Sequence, residues 1–156
     1  MKKAVFFCII LFCAIALSGC GNKGKDMGQL SEDNSYHYSN NDLGFEMALP
    51  TEFEYYQTQR KENPDYIDIE IFVPTSDIGY LQEVPGYAKP IVVRIFESSV
   101  WQSMSAGNED KIIYKKLGEK KDKVYTIKFW DQAPKDWQGK WSEGMGDGIM
   151  DGFIIK

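Results

Sequence analysis

The sequence predicts an α+β domain, an antiparallel sheet flanked by helices. Three observations predict it. Residues 65–73 alternate, with Ile67, Ile69, Ile71 and Val73 on one side and Tyr66, Asp68, Glu70 and Phe72 on the other, the period of a strand. Residues 111–117 and 123–130 are two arms of a hairpin around the polar stretch 118–122, with Tyr125, Ile127 and Phe129 as the apolar face of the second arm. Trp137, Trp141, Met145 and Ile149 recur at every fourth position, one face of a helix. A chain of 156 residues that is 43% hydrophobic and 14% aromatic is expected to fold as one domain.

The first segment stands apart from that domain. Met1, Lys2 and Lys3 are a short basic start, and residues 4–17 form an unbroken apolar run of 14 residues. As a helix such a run reaches only ~21 Å, against a hydrocarbon core of ~30 Å. It therefore reads as the apolar part of a signal peptide rather than a membrane span. Leu17, Ser18, Gly19 and Cys20 then follow. They resemble the bacterial lipobox, a leucine, two small residues and a cysteine. The resemblance implies cleavage between Gly19 and Cys20 and a diacylglycerol on the Cys20 thiol, with a second lipid signal making the anchor stable. Residues 1–19 are thus expected to be signal peptide and 20–35 a flexible tether rich in Gly, Asn, Asp, Lys and Ser. The domain is expected over 36–156.

The other cysteines, Cys8 and Cys13, would leave with the signal, so no disulfide or cysteine metal site is expected in the domain. Losing Lys2 and Lys3 takes the net charge from −5 to about −7. So acidic a chain is a poor partner for nucleic acid, and anionic headgroups repel it, so a membrane tether must be covalent.

Along the domain, Tyr36, His37 and Tyr38 begin a short strand that turns at 39–42. Residues 43–49 alternate, Leu43, Phe45, Met47 and Leu49 facing one way, and Pro50 ends the strand. After the strand at 65–73, residues 74–90 are expected to be a long loop containing Pro74, Pro85, Pro90, Gly79 and Gly86. Loops of this length are often functional. Ile78, Tyr80, Leu81 and Tyr87 within it are the candidate partner-binding residues; the competing reading is a plain connection packed on the sheet. Residues 91–96 form a further strand. Residues 97–106 suit a short helix capped by Ser98 or Ser99. The last helix is expected over 134–152, against the helix-weakening Gly139, Gly144, Gly146 and Gly148. Phe153, Ile154 and Ile155 close the chain as a strand.

The stretch YSNNDLGFEMALPTEF is similar to the start of PsbP-like domains. Tyr38, Asn40, Gly44, Phe45 and Pro50 match, and Phe53 stands where that pattern usually has Trp. KVYTIKFW and GIMDGFIIK resemble the family's late strand, last helix and final strand. The resemblance covers about 36–156 and implies an αβα sandwich around an antiparallel sheet. Its best-known members act by binding proteins, and it carries over no catalytic residue.

Chemical signatures are few. His37 is the single histidine, which excludes most histidine-dependent triads and multi-histidine metal sites; beside two tyrosines it is expected to be structural or solvated. No Gly-x-Ser-x-Gly or Gly-Lys-Ser/Thr loop occurs, and GMGDGIMDG lacks the lysine and preceding strand of a nucleotide loop. Asp68 and Glu70 share a strand face and could hold Ca²⁺ or act as an acid–base pair, although carboxylates on an open strand face are usually just solvated. Asp147 and Asp151 lie one helical turn apart, without the spacing of a Ca²⁺ loop. Trp101, Trp130, Trp137 and Trp141 are expected in the core, with an exposed aromatic surface for sugars or a partner as the alternative. The sequence thus predicts a non-enzymatic lipoprotein without cofactor, metal or nucleotide. It would be held in a bacterial envelope by lipid on Cys20, facing the periplasm or exterior, and would bind an unknown envelope protein. The alternative function is binding of a solute or glycan in an aromatic cleft. A carboxylate-based hydrolase using Asp68 and Glu70 is a third reading.

Overall fold

The computed structural model describes residues 29–106 and 113–156. Gly19, Cys20, the signal peptide and the first part of the expected tether lie outside the described residues. The described chain forms eight strands and two helices: β1 (Ser35–Asn40), β2 (Phe45–Pro50), β3 (Gln57–Glu62), β4 (Tyr66–Pro74), β5 (Tyr87–Glu97), α1 (Ser98–Ser105), β6 (Lys115–Lys120), β7 (Lys123–Phe129), α2 (Glu143–Asp151) and β8 (Phe153–Ile155). Strand pairing is antiparallel throughout. The strands make two sheets, β1-β2-β8 and β3-β4-β5-β7-β6. This is a mixed, mostly antiparallel architecture with few helices.

The two sheets share one core. Phe45, Met47 and Leu49 of β2 face Ile69, Ile71 and Val73 of β4, Ile91, Val93 and Ile95 of β5, and Tyr125 and Ile127 of β7. Each fully buried side chain of this kind contributes about 1.5–3 kcal/mol. Phe153 of β8 stacks on Phe45 at 5.0 Å and 15°. The Tyr125 hydroxyl donates to the Leu43 carbonyl at 2.7 Å, joining the two sheets. β8 also runs against β6, so closely that a Cβ at Gly118 would lie 2.7 Å from Ile155 Cδ1.

The turn between β1 and β2 shows why its residues are what they are. The Asn40 amide donates to Tyr38 Oη at 3.0 Å, and its Oδ1 accepts from the Leu43 N–H at 3.0 Å. Gly44 then takes φ +70°, the left-handed region that glycine enters without a Cβ clash. Leu43 is buried but belongs to this turn, so the strand starts two residues later than its alternation suggests.

Several expectations need correction. β3 was not predicted: QTQRKE has no apolar alternation, and it forms as an edge strand because β4 supplies its hydrogen bonds. Residues 31–35, expected within the tether, form a turn in which the Ser31 hydroxyl donates to the Ser35 carbonyl at 2.6 Å. α1 has Glu97 as its cap residue and no serine side-chain cap. Its Ser98 N–H is satisfied instead by the Asp122 carbonyl at 2.8 Å. The hairpin turn narrows to Lys121 and Asp122, both left-handed at φ 50° and 60°, so residues 118–120 belong to β6. The last helix begins only at Glu143. Ser142 is extended, and its Oγ accepts from the Met145 N–H at 3.2 Å, which starts α2 afresh. Residues 135–140 are turns, and Trp137 within them and Trp141 just after them still reach the core by packing on Phe53.

Candidate functional site

The connection between β4 and β5 is shorter than expected, because β4 runs to Pro74 and β5 starts at Tyr87. The loop proper is 75–86, and Tyr87 is a strand residue. Its base is closed by the Thr75 N–H donating to the Gly86 carbonyl at 2.9 Å, with Gly86 at φ +80°.

Two aspartates staple this loop to the turn at 134–137. Asp136 accepts from the Thr75 hydroxyl at 2.7 Å, the Ser76 N–H at 2.9 Å and the Ser76 hydroxyl at 3.2 Å. Burial pushes the Asp136 carboxyl up, but the Ser76 N–H and the two hydroxyls outweigh it and hold the group below its usual range. Asp77 accepts from the Gly79 N–H and the Lys135 N–H, each at 3.0 Å. Trp137 Nε1 donates to the Pro74 carbonyl at 2.9 Å.

The far end of the loop is held by charge. Glu70 of β4 is buried, with Lys61 Nζ 2.8 Å from Oε2 and Lys89 Nζ 2.8 Å from Oε1. Glu83 of the loop reaches the same two lysines, Lys61 at 3.2 Å and Lys89 by a short ion pair. The four charges close into a ring of alternating sign that ties the loop to β3, β4 and β5.

Held in this way, the loop presents its apolar residues in two directions. Ile78 is 100% exposed and Leu81 91% exposed. Tyr80 and Tyr87 are half-buried, and the Tyr87 hydroxyl accepts from Gln57 Nε2 at 2.7 Å. Tyr80, Leu81 and Tyr87 line a cleft of about 360 Å³, with Glu83, Lys89, Phe72, Val92 and residues 128–132 as its other walls. Ile78 is not among the lining. The structure therefore brings Tyr80, Leu81 and Tyr87 to one cleft, and Ile78 stands outside it at the loop tip, where the largely exposed Leu81 at the cleft's edge joins it. Trp130 separates this cleft from a second one of about 410 Å³, bordered by Ile113, Trp141, Glu143 and Asp147.

The second face of β4, expected to be open, is covered. Asp68 and Glu70 are 5% and 4% exposed. α1 covers one end of the face, with Trp101 against Phe96 at 5.5 Å, and the ion-paired loop covers the other. Asp68 is held by Arg94 through two bonds of 2.7 Å, Nε to Oδ1 and Nη2 to Oδ2. The Arg94 guanidinium lies 3.5 Å from the centre of the Tyr66 ring and 4.6 Å from that of Tyr114. With both carboxylates engaged by cations of the chain, neither is available to a substrate or a metal ion. The acid–base and Ca²⁺ readings of this pair are corrected accordingly.

His37 Nε2 contacts Asp33 Oδ2 at 2.9 Å and the Ser35 hydroxyl at 3.0 Å, while Nδ1 faces Glu46 at 3.5 Å. Asp33 sits well below its usual range because the Ser31, Ser35 and His37 side chains all donate to it. The Ser35 hydroxyl donates to Asp33 at 2.7 Å, so the group is a hydrogen-bonded cluster at the domain's entry. Asp147 and Asp151 are exposed on α2. Among the described residues no group of three His, Cys, Asp or Glu side chains could hold a metal ion. Of the tryptophans, Trp137 is 2% exposed, and Trp101, Trp130 and Trp141 are half-buried.

Sequence reasoning missed Asp136, Glu83, Lys61 and Lys89, which shape the site. Lys61 lies on a strand with no apolar pattern, and Asp136 acts across 60 residues of sequence on Ser76, so neither leaves a local signal. No protein-family model, curated protein or solved structure matches the chain.

Proposed function

We propose that the chain is a non-enzymatic lipoprotein of a bacterial cell envelope, anchored through Cys20, that binds another envelope protein with the tip of the loop at 75–86. The observation that carries this reading is the pair Ile78 and Leu81, exposed at 100% and 91% on a loop held in place from both ends. Holding a loop in one conformation lowers the ordering penalty on association. Large apolar side chains kept in water on such a loop are the anchors a partner would desolvate. The lipid anchor rests on residues 17–20 and on the short apolar run before them. The engagement of Asp68 by Arg94 and of Glu70 by Lys61 and Lys89 supports a non-catalytic role.

The finer fold reading is a PsbP-like domain. Its support is that the matching residues hold structural positions. Asn40 bonds the turn, Gly44 is left-handed, Phe45 and Phe53 are fully buried and Pro50 ends β2.

The test is crosslinking of the full chain in intact cells. One envelope protein is expected to be recovered with the parent and lost from the Ile78→Ser/Leu81→Ser double variant. Recovery of the same protein in equal amount with the double variant refutes the loop tip as the binding surface.

A further inference from the structure

The loop has an inner side, and its chemistry differs from that of the tip. The cleft between it and residues 128–132 is walled by aromatic rings, Tyr80, Tyr87 and Trp130 among them. Its charged groups are closed among themselves. Lys89 and Glu83 belong to the four-charge ring, and Lys128 lies 3.2 Å from Asp131. The cleft therefore has no unpaired cation for an anionic ligand and no unpaired carboxylate for a cationic one.

The neutral polar groups of the cleft are less occupied. Among the described residues no hydrogen-bond partner reaches the Tyr80 hydroxyl, which lies near Lys89, Asp131 and Glu83. Gln132 sets an exposed amide at the rim. Flat aromatic surface beside neutral donors and acceptors suits a molecule with one apolar face and a fringe of hydroxyls. The volume of about 360 Å³ is at the small end of ligand sites, which run from about 300 to 1,000 Å³.

We propose that this cleft binds one or two rings of a neutral saccharide. The C–H face of a ring lies on Tyr80 and Trp130, and its hydroxyls meet the Tyr80 hydroxyl and the Gln132 amide. The proposal goes beyond the loop-tip reading and does not depend on it.

The test is a titration of the purified full chain with cellobiose, maltose and N,N′-diacetylchitobiose, followed by tryptophan fluorescence. At least one is expected to give a saturable change. Tyr80→Ala is expected to weaken it about tenfold, the scale of one lost aromatic contact. Gln132→Ala, at an exposed position, gives a second reading if the tyrosine variant does not fold, and is expected to weaken binding about threefold to tenfold. Glucuronate and glucosamine, which bring one charge into a cleft with no spare partner, are expected to bind more weakly than glucose. No saturable response to any of the three disaccharides overturns the proposal. So does a response unchanged by both variants, or a preference for a charged sugar. No partner protein is present in this titration, so its failure is distinct from failure of the crosslinking experiment.

Discussion

Arg94 shows at the scale of one residue how buried charge is handled in this fold. It meets Asp68 through two bonds of 2.7 Å and is clasped between Tyr66 and Tyr114. The planar guanidinium can do both at once, whereas a lysine could match only the charge. Asp68 is 5% exposed, so removing its partner leaves a charge that water cannot reach. Arg94→Leu is expected to cost about 3–5 kcal/mol of stability in urea unfolding at neutral pH. Asp68→Leu/Arg94→Leu together should recover most of that loss, because no charge remains buried. A loss below about 1 kcal/mol for the single variant, the size of an exposed pair, would mean that the pair is effectively hydrated.

At the scale of the element, the loop at 75–86 is ordered by two different means. Asp136 and Asp77 act by hydrogen bonds near its base, and Glu83 acts by charge at its far end. Both rest on a carboxylate held below its ordinary range, Asp136 at the base and Glu83 at the far end, so both weaken in acid. Lys89, then Lys61, holds the Glu83 carboxyl below its ordinary value of 4.5, against a smaller push from burial. Its folded form thus gives up the proton more readily than the unfolded chain. The stabilisation it brings is complete above pH 4.5 and is lost as the pH falls through the lowered value. Lys61 is raised chiefly by its bond to Glu70, so its share persists until the pH climbs past the ordinary 10.5. The amide resonance of Gly86, whose N–H donates to the Gln82 side chain at 2.7 Å and not to a carboxylate, is expected to shift on acid titration with a midpoint below 4.5. Glu83→Gln should abolish that transition. A midpoint above the ordinary value, or no shift at all, would show that Glu83 does not hold the loop.

At the scale of the molecule, charge and the proposed lipid anchor bear on each other. Without Lys2 and Lys3 the chain carries about −7, so an anionic bilayer surface repels it and only a covalent lipid would keep it there. Among the described residues no helix is long and apolar enough to cross a membrane. The parent protein is expected to stay with the membrane fraction through a high-salt wash, and Cys20→Ser is expected to lose the size change of signal cleavage. A Cys20→Ser protein of unchanged mature size that remains in that fraction would overturn the anchor.

What was legible in the sequence was local. Alternation marked β2, β4 and β7, and the polar residues 39–42 marked the turn between β1 and β2, although Gly44, read as part of the strand, belongs to that turn as well. The loop that frames the cleft was visible from its prolines, its glycines and its length. Other features follow from contacts made at a distance. β3 is a strand only because β4 lies beside it. The tryptophans precede α2, which starts only after the extended Ser142, and still pack, since Trp137 in a turn and Trp141 just after it reach Phe53 as well as they would from a helix. Asp68 and Glu70 read as solvated from their strand, because nothing nearby in sequence announces Arg94, Lys61 and Lys89. The sequence by itself determined the strand periods, the turn residues at 39–42 and the apolar residues available for one core. Tertiary structure alone decided which carboxylates are buried, where the loop is fastened and that a cleft opens beneath it. Period and turn chemistry act over a few residues, whereas burial and ion pairing depend on which segments the fold brings together.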